Sequence, residues 1–281
     1  MQLAFSTNAY TRMPFEDTVR RIAGIGYAGV EIMADVPHAW PAGLLDADKH
    51  AIRGALERYG LGISNTNAFM MKAVGDARQP YWHPSWIEPD RHYRQIRIDH
   101  TRRALSLARE LGAPSITTEP GGPLAPGESW SQALRMFVEG LKPVAEQAEK
   151  VGVRLLVEPE PGLLIENADQ FVELMEHIDS PAVGLNFDVG HFFCVGDDVP
   201  ATIKRLAPFI SHFHLEDIAA TRIHHHLIPG EGAIDFPAVF LAMQAIDYDG
   251  WVTVELYPYV DDPDAAATTA FHRVTAMLAD L

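Results

Sequence analysis

Cysteine is nearly missing from this chain: the 281 residues hold one, Cys194. A single thiol excludes an intramolecular disulfide, so nothing in the fold requires an oxidising compartment. Positive charge is scarce as well. There are 22 Lys and Arg against 38 Asp and Glu, a formal net charge of −16. That balance opposes nucleic-acid binding, which needs a basic stripe to neutralise phosphates, and it gives no attraction to an anionic membrane surface. A run of about 18 apolar residues is lacking, so no transmembrane helix is expected. The opening Met1-Gln2-Leu3-Ala4-Phe5-Ser6 has no basic segment followed by an apolar one. No signal peptide is expected, and the expected location is the cytoplasm. Neither Gly-x-Gly-x-x-Gly nor Gly-Lys-Ser/Thr follows the first predicted strand, which argues against dinucleotide and P-loop folds.

What is present is a regular alternation. Short β-rich runs are predicted at 3–8, 29–33, 61–65, 115–119, 153–158, 183–188, 210–215 and 251–255. Longer amphipathic segments separate them, several stopped by glycine, as at Gly60, Gly112 and Gly152. Helices are predicted from Pro14, over 46–59, 92–111, 128–151 and 167–177, briefly over 199–206, from the cap Asp235 through Ile246, and over 263–281. Eight strand–helix units in one α/β chain predict a closed (β/α)₈ TIM barrel, a single domain over residues 1–281. Residues 68–91 break the rhythm with Pro80, Pro84, Pro89, Tyr81, Trp82 and Trp86. A loop of that length in a compact domain is expected to be a lid or a binding loop.

In such a barrel the chemistry sits at the C-terminal ends of the strands. Glu158, Asp188, His214 and Glu255 end or closely follow four consecutive predicted strands, so their side chains can converge near the barrel axis. Three carboxylates that close together either raise their pKa values or enclose a cation. A divalent metal would resolve the repulsion and recruit His214 as a fourth ligand. Carboxylate-rich sites with one imidazole suit harder ions, Mn²⁺ foremost, then Mg²⁺ or Co²⁺; Zn²⁺ prefers more nitrogen or sulfur. Glu31 and Glu119 fit a structural role as well as a substrate one. The His224-His225-His226 run reads as a solvated loop or an opportunistic metal binder, and Pro229-Gly230-Glu231-Gly232 as a tight bend before the helix at Asp235.

The segments Leu156-Val157-Glu158-Pro159, Phe187-Asp188-Val189-Gly190-His191, His212-Phe213-His214-Leu215-Glu216-Asp217, His226-Leu227-Ile228-Pro229-Gly230-Glu231-Gly232 and Val254-Glu255 follow one another in order. In this arrangement the chain resembles the sugar isomerase/epimerase branch of the xylose-isomerase-like TIM barrels. That branch includes ketose 3-epimerases, hydroxypyruvate isomerase and inosose dehydratase, and it shares its fold with endonuclease IV. The resemblance implies Glu158, Asp188, His214 and Glu255 as metal ligands, with Glu158 and Glu255 also the acid/base pair. It implies substrate contacts from His191, Arg222 and His226, with Glu160 beside Glu158 in the same set. The implied activity is metal-dependent isomerisation or epimerisation of a sugar or polyol-like carbonyl compound through an enediolate, and a homo-oligomer is in keeping with the family. A dehydratase using the same enolate is the nearest alternative. An endonuclease IV-like phosphodiesterase is opposed by the −16 charge. A non-catalytic sugar-binding barrel is opposed by the retention of all four ligand positions.

Overall fold

Apolar–polar alternation along each strand decides which side chains turn towards the helices and which turn inwards. In the computed structural model, which describes residues 1–79 and 81–281, the strands are β1 (Gln2–Ser6), β2 (Gly29–Met33), β3 (Gly62–Asn67), β4 (Ser115–Thr118), β5 (Arg154–Val157), β6 (Val183–Asp188), β7 (Ile210–Leu215) and β8 (Trp251–Val254). They pair in parallel in chain order, and β8 returns to β1 to close the barrel. Val30, Ile32, Leu155, Val157, Leu185, Phe187, Phe213, Leu215, Val252 and Val254 are buried in the main apolar core. Their neighbours Glu31, Asn186, Asp188, His212, His214 and Thr253 are equally buried but polar. This period-two switch puts the polar set inside the barrel and the apolar set beneath the helices.

The helices are α1 (Phe15–Ile25), α2 (Asp46–Tyr59), α3 (Arg91–Leu111), α4 (Trp130–Val151), α5 (Ala168–Glu176), α6 (Val189–Val195), α7 (Val199–Leu206), α8 (Phe236–Ala245) and α9 (Pro263–Ala279). No described helix is long and apolar enough to cross a membrane. The α6 turn was not predicted, because seven residues around Gly190 are too few to show a helical period. It forms because Asp188 caps it, accepting from the His191 backbone N–H at 2.7 Å. The first strand stops at Ser6, short of the predicted Asn8, where Thr7–Tyr10 turn into a 3₁₀ helix. Of the predicted 68–91 loop, Pro80 lies outside the described residues.

Inside the barrel a hydrogen-bonded column replaces apolar packing. Ser64 and Thr253 hydroxyls lie 2.8 Å apart, Thr253 meets His212 Nε2 at 2.8 Å, and His212 Nδ1 donates to Asn186 Oδ1 at 2.8 Å. Burial pushes the His212 imidazole down to about 3, so it stays neutral and can accept on one nitrogen while donating from the other. Asn186 Nδ2 then reaches His214 Nδ1 at 3.1 Å. The strand register shifts between Val30 and Glu31 on the β2–β3 pair and between Leu185 and Asn186 on the β6–β7 pair. Irregularities of this kind re-aim side chains, and here they fall beside Glu31 and Asn186, two residues that touch His214.

Candidate active site

His214 is the centre of the site. It is fully buried and has carboxylates on both ring nitrogens. Nε2 lies 2.7 Å from Glu31 Oε2, and Nδ1 lies 2.8 Å from Glu158 Oε1, 3.5 Å from Glu255 Oε2 and 3.8 Å from Asp188 Oδ2. Burial opposes a charge on this ring, but Glu158, Glu255 and Glu31 outweigh it and hold its pKa well above the ordinary value. Burial pushes Glu31 up, but His214 next to it, with His212 and Asn65, brings it down to about 2. Glu31 also accepts from Ser6 Oγ and Asn65 Nδ2, each at 2.8 Å. It is thus a fixed, ionised acceptor that orients the imidazole from the side away from the cluster.

The four residues expected to converge do so: ligand-competent atoms of Glu158, Asp188, His214 and Glu255 lie within 4.8 Å of one another. Asp188 Oδ2 is buried and has no hydrogen-bond partner. An unpaired anionic oxygen at full burial is costly unless a cation or proton meets it. Three carboxylates and one imidazole on one point fit a divalent ion. Glu255 is anchored from the opposite side, its Oε1 accepting from Asn8 Nδ2 at 2.8 Å and Asn67 Nδ2 at 3.3 Å. Burial, with Glu158, Glu31 and Asp188 nearby, raises its pKa despite His214. Glu216 stands behind the cluster, where burial and Asp188 raise its pKa.

A pocket of about 220 Å³ opens above this floor, lined by Glu158, Glu160, His191, His224, His226 and Glu255 on one side. The other side is made by Phe69, Met70, Gln79, Tyr81 and Trp82 from the long loop. Of the expected substrate contacts, Glu160, His191 and His226 face the pocket, whereas Arg222 does not. Arg222 is exposed, has φ of 58°, donates to the Phe193 carbonyl at 2.9 Å and stacks over the Phe193 ring. The chain turns at Arg222 and sends the guanidinium to the C-terminal end of α6, away from the residues that line the pocket. His224, left open in the sequence between a solvated loop and an opportunistic metal binder, lines the pocket, and of the three histidines His225 is the exposed one. Glu119, left open between two roles, is structural here, accepting from Trp86 N at 2.9 Å and Gly121 N.

Two buried charges hold the loops that build this pocket. Asp217 accepts four backbone N–H groups, from Ile218 and Ile234 on Oδ1 and from Gly230 and Gly232 on Oδ2, at 2.8–3.1 Å. This explains the Pro-Gly-Glu-Gly turn. A Cβ on Gly232 would sit 2.3 Å from Asp217 Oδ1, so only glycine allows the approach. Asp217→Ala would leave the buried N–H groups of Ile218 and Ile234 unpaired at about 1–3 kcal/mol each. A loss of at least about 3 kcal/mol in urea unfolding is the expected result, and a loss below about 1 kcal/mol would mean the turn holds itself. On the other rim, Arg97 of α3 is fully buried and donates to the carbonyls of Ala68, Phe69, Tyr81 and Pro84 at 2.7–3.3 Å. Nothing in the sequence singles out Arg97, since α3 also carries Arg91, Arg94, Arg102 and Arg103.

Comparison with known protein families matches residues 19–274 to the xylose isomerase-like TIM barrel. The chain belongs to that family. Among curated relatives of this xylose isomerase-like barrel, fructoselysine 3-epimerase of Escherichia coli O157:H7 is 26% identical over 99% of this chain and 98% of its own. Inosose dehydratase of Clostridium beijerinckii is 24% identical over 86% of this chain and 81% of its own. Among solved structures, the IOLI protein with a bound zinc atom superposes with a TM-score of 0.81 at 19% identity, covering 100% of this chain and 99% of that one. The structural likeness establishes the barrel. The curated relatives place this xylose isomerase-like chain among sugar epimerases and isomerases, with dehydratases alongside.

Proposed function

We propose that this protein is a divalent-metal-dependent isomerase or epimerase of a small sugar or polyol-like carbonyl compound. The observation that carries the reading is the pair Glu158 and Glu255, which meet at His214 Nδ1 at 2.8 and 3.5 Å on the floor of the pocket. Glu158, Asp188, His214 and Glu255 would hold the metal, Mn²⁺ foremost given the oxygen-rich set. The zinc reported in the IOLI structure supports a metal-binding barrel and keeps Zn²⁺ in view. Such an ion supplies Lewis-acid polarisation of a carbonyl oxygen.

The chain's own residues then have distinct tasks. Glu31 keeps a proton on His214 Nε2, which leaves Nδ1 free to ligate. One of Glu158 and Glu255 takes the proton from the carbon next to the carbonyl, and the other returns it. Asn8 and Asn67 fix one oxygen of Glu255, so its second oxygen faces the cluster. Glu160, His191 and His226 face substrate hydroxyls, and the 68–91 loop closes the opposite wall as a binding loop. The small pocket and the −16 charge support a small-molecule substrate over a nucleic acid.

Two experiments test this. The purified protein with Mn²⁺, incubated with a panel of ketoses and keto-polyols in D₂O, should incorporate one deuterium at the carbon beside the carbonyl. No exchange with any carbonyl polyol would sink the assignment. Glu31→Gln should weaken metal affinity about 10–100-fold, as loss of a carboxylate behind a ligating histidine does; competition with a fluorescent chelator reads the shift, and unchanged affinity would remove Glu31 from that role. A second reading, dehydration of a keto-polyol, is favoured by the inosose dehydratase relative. Product mass distinguishes it, since dehydration loses water and isomerisation does not.

A further inference from the structure

Between residues 75 and 90 the described chain is neither helix nor strand, so side chains must set its path. One buried carboxylate, Glu88, gathers this stretch. Its Oε1 accepts from His83 Nδ1 at 2.6 Å, from Arg78 Nη2 at 3.0 Å and from the Ser85 N–H at 3.0 Å, and its Oε2 accepts from Arg78 Nη1 at 3.1 Å. Arg78 and His83 stand immediately before and after the span that supplies Gln79, Tyr81 and Trp82 to the pocket. The same carboxylate therefore holds both flanks of that wall. The span also closes on itself: the His83 N–H donates to the Gln79 carbonyl at 3.1 Å, and the Tyr81 N–H donates to Gln79 Oε1 at 2.9 Å. It reaches across the mouth, where the Tyr81 ring lies 5.8 Å from that of Tyr257, a lining residue that follows β8.

We infer that Glu88 is a positioning residue for substrate binding: by clamping Arg78 and His83 it fixes Gln79, Tyr81 and Trp82 at the distance from Glu158 and Glu255 that a substrate must span. A buried carboxylate is costly unless its lone pairs are met. Burial pushes Glu88 up, but Arg78, His83 and the Ser85 N–H outweigh it and hold its carboxyl below the usual carboxylate range. The ionised group can grip the Arg78 fork with both oxygens and still accept from His83, which no neutral side chain does. The clamp is tied to α3 from behind. Asp76 accepts from Arg78 Nη2 at 2.7 Å and from the Tyr93 hydroxyl, and Arg94 donates to the Glu88 carbonyl. Arg97 and Glu88 act on different atoms, Arg97 on the Tyr81 carbonyl and Glu88 on the side chains either side of it. A wall that touches the substrate alike before and during proton transfer serves binding and not the chemical step, so its loss belongs in KM. That kinetic consequence rests on the isomerase reading above; the placing of the wall does not.

The test compares full-length, metal-loaded wild type with Glu88→Gln. For the ketose that wild type exchanges fastest in D₂O, KM should rise about tenfold while kcat stays within about threefold. Arg78→Met, at a half-exposed position, breaks the same clamp and should give the same split if the buried variant misfolds by circular dichroism. The double variant should be no worse than Glu88→Gln alone, because both substitutions remove one interaction. Trp82 gives a readout that needs no substrate. Acrylamide quenching of tryptophan fluorescence should increase in Glu88→Gln, and the increase should vanish on a Trp82→Phe background. If wild type exchanges no ketose, the isomerase reading fails, and the quenching alone decides the placing of the wall. An unchanged KM in Glu88→Gln would overturn the proposal, as would a fall in kcat with KM unmoved. Quenching equal to wild type, or additive losses in the double variant, would overturn it too.

Discussion

Glu255→Gln and Glu158→Gln should each abolish deuterium exchange at the substrate carbon, lowering turnover at least about 10²–10⁴-fold, the contribution of a positioned general base. The amide keeps the shape but cannot take a proton. For Glu255 the geometry sharpens the expectation. Its Oε1 is held by Asn8 and Asn67, so substitution should leave the side chain in place but turn an amide NH₂ towards the cluster, removing a base and a ligand oxygen together. Single-turnover exchange in D₂O, read by mass spectrometry alongside metal content, separates a lost base from a lost ion. Exchange near the wild-type rate in either metal-loaded variant would rule out the acid/base pair.

Arg97→Met should cost about 3–5 kcal/mol, the penalty for removing one partner of a buried charged arrangement. Four carbonyls would lose their donor, and Glu119, 3.9 Å from Arg97 Nε, would lose its nearest cation. Burial pushes the Arg97 pKa down to about 10, which still leaves it charged at neutral pH. Lysine cannot match the fork, because one ammonium does not span carbonyls from 68 to 84. The expected order of urea midpoints is wild type, then Arg97→Lys, then Arg97→Met. The methionine variant should also raise KM more than it lowers kcat and open the 68–91 loop to proteolysis. A protease-resistant loop in Arg97→Met, with stability within about 1 kcal/mol of wild type, would show that Trp86, Ser85 and Glu88 hold it without the guanidinium.

Most of the barrel was readable because period-two alternation and glycine stops are local signals. Glu158, Asp188, His214 and Glu255 were legible for the same reason: each interrupts or ends an apolar run at the strand end that the topology aims at the axis. What the sequence hid was non-local. Glu31 looks like any acid among apolar neighbours until β7 brings His214 within 2.7 Å of it. Arg222 and His224 are two residues apart in one loop, and which of them faces the pocket depends on the turn at Arg222, which motif spacing does not encode. Arg97 is camouflaged by the other arginines of its helix, since burial of one face of α3 is decided by the loop laid over it.

Arg97 grips that loop through its carbonyl oxygens, and Trp86 anchors its far end by donating from Nε1 to Thr118 Oγ1. Phe69, Met70, Gln79, Tyr81 and Trp82, which make the outer wall of the pocket, therefore carry little of the burden of holding it in place. Their identities are free to drift while the path of the chain is conserved by Arg97. Those five side chains can change with the polar floor around His214 and its supporting column left untouched. A library randomised at those five positions, on the wild-type arginine, is the natural place to look for altered sugar preference.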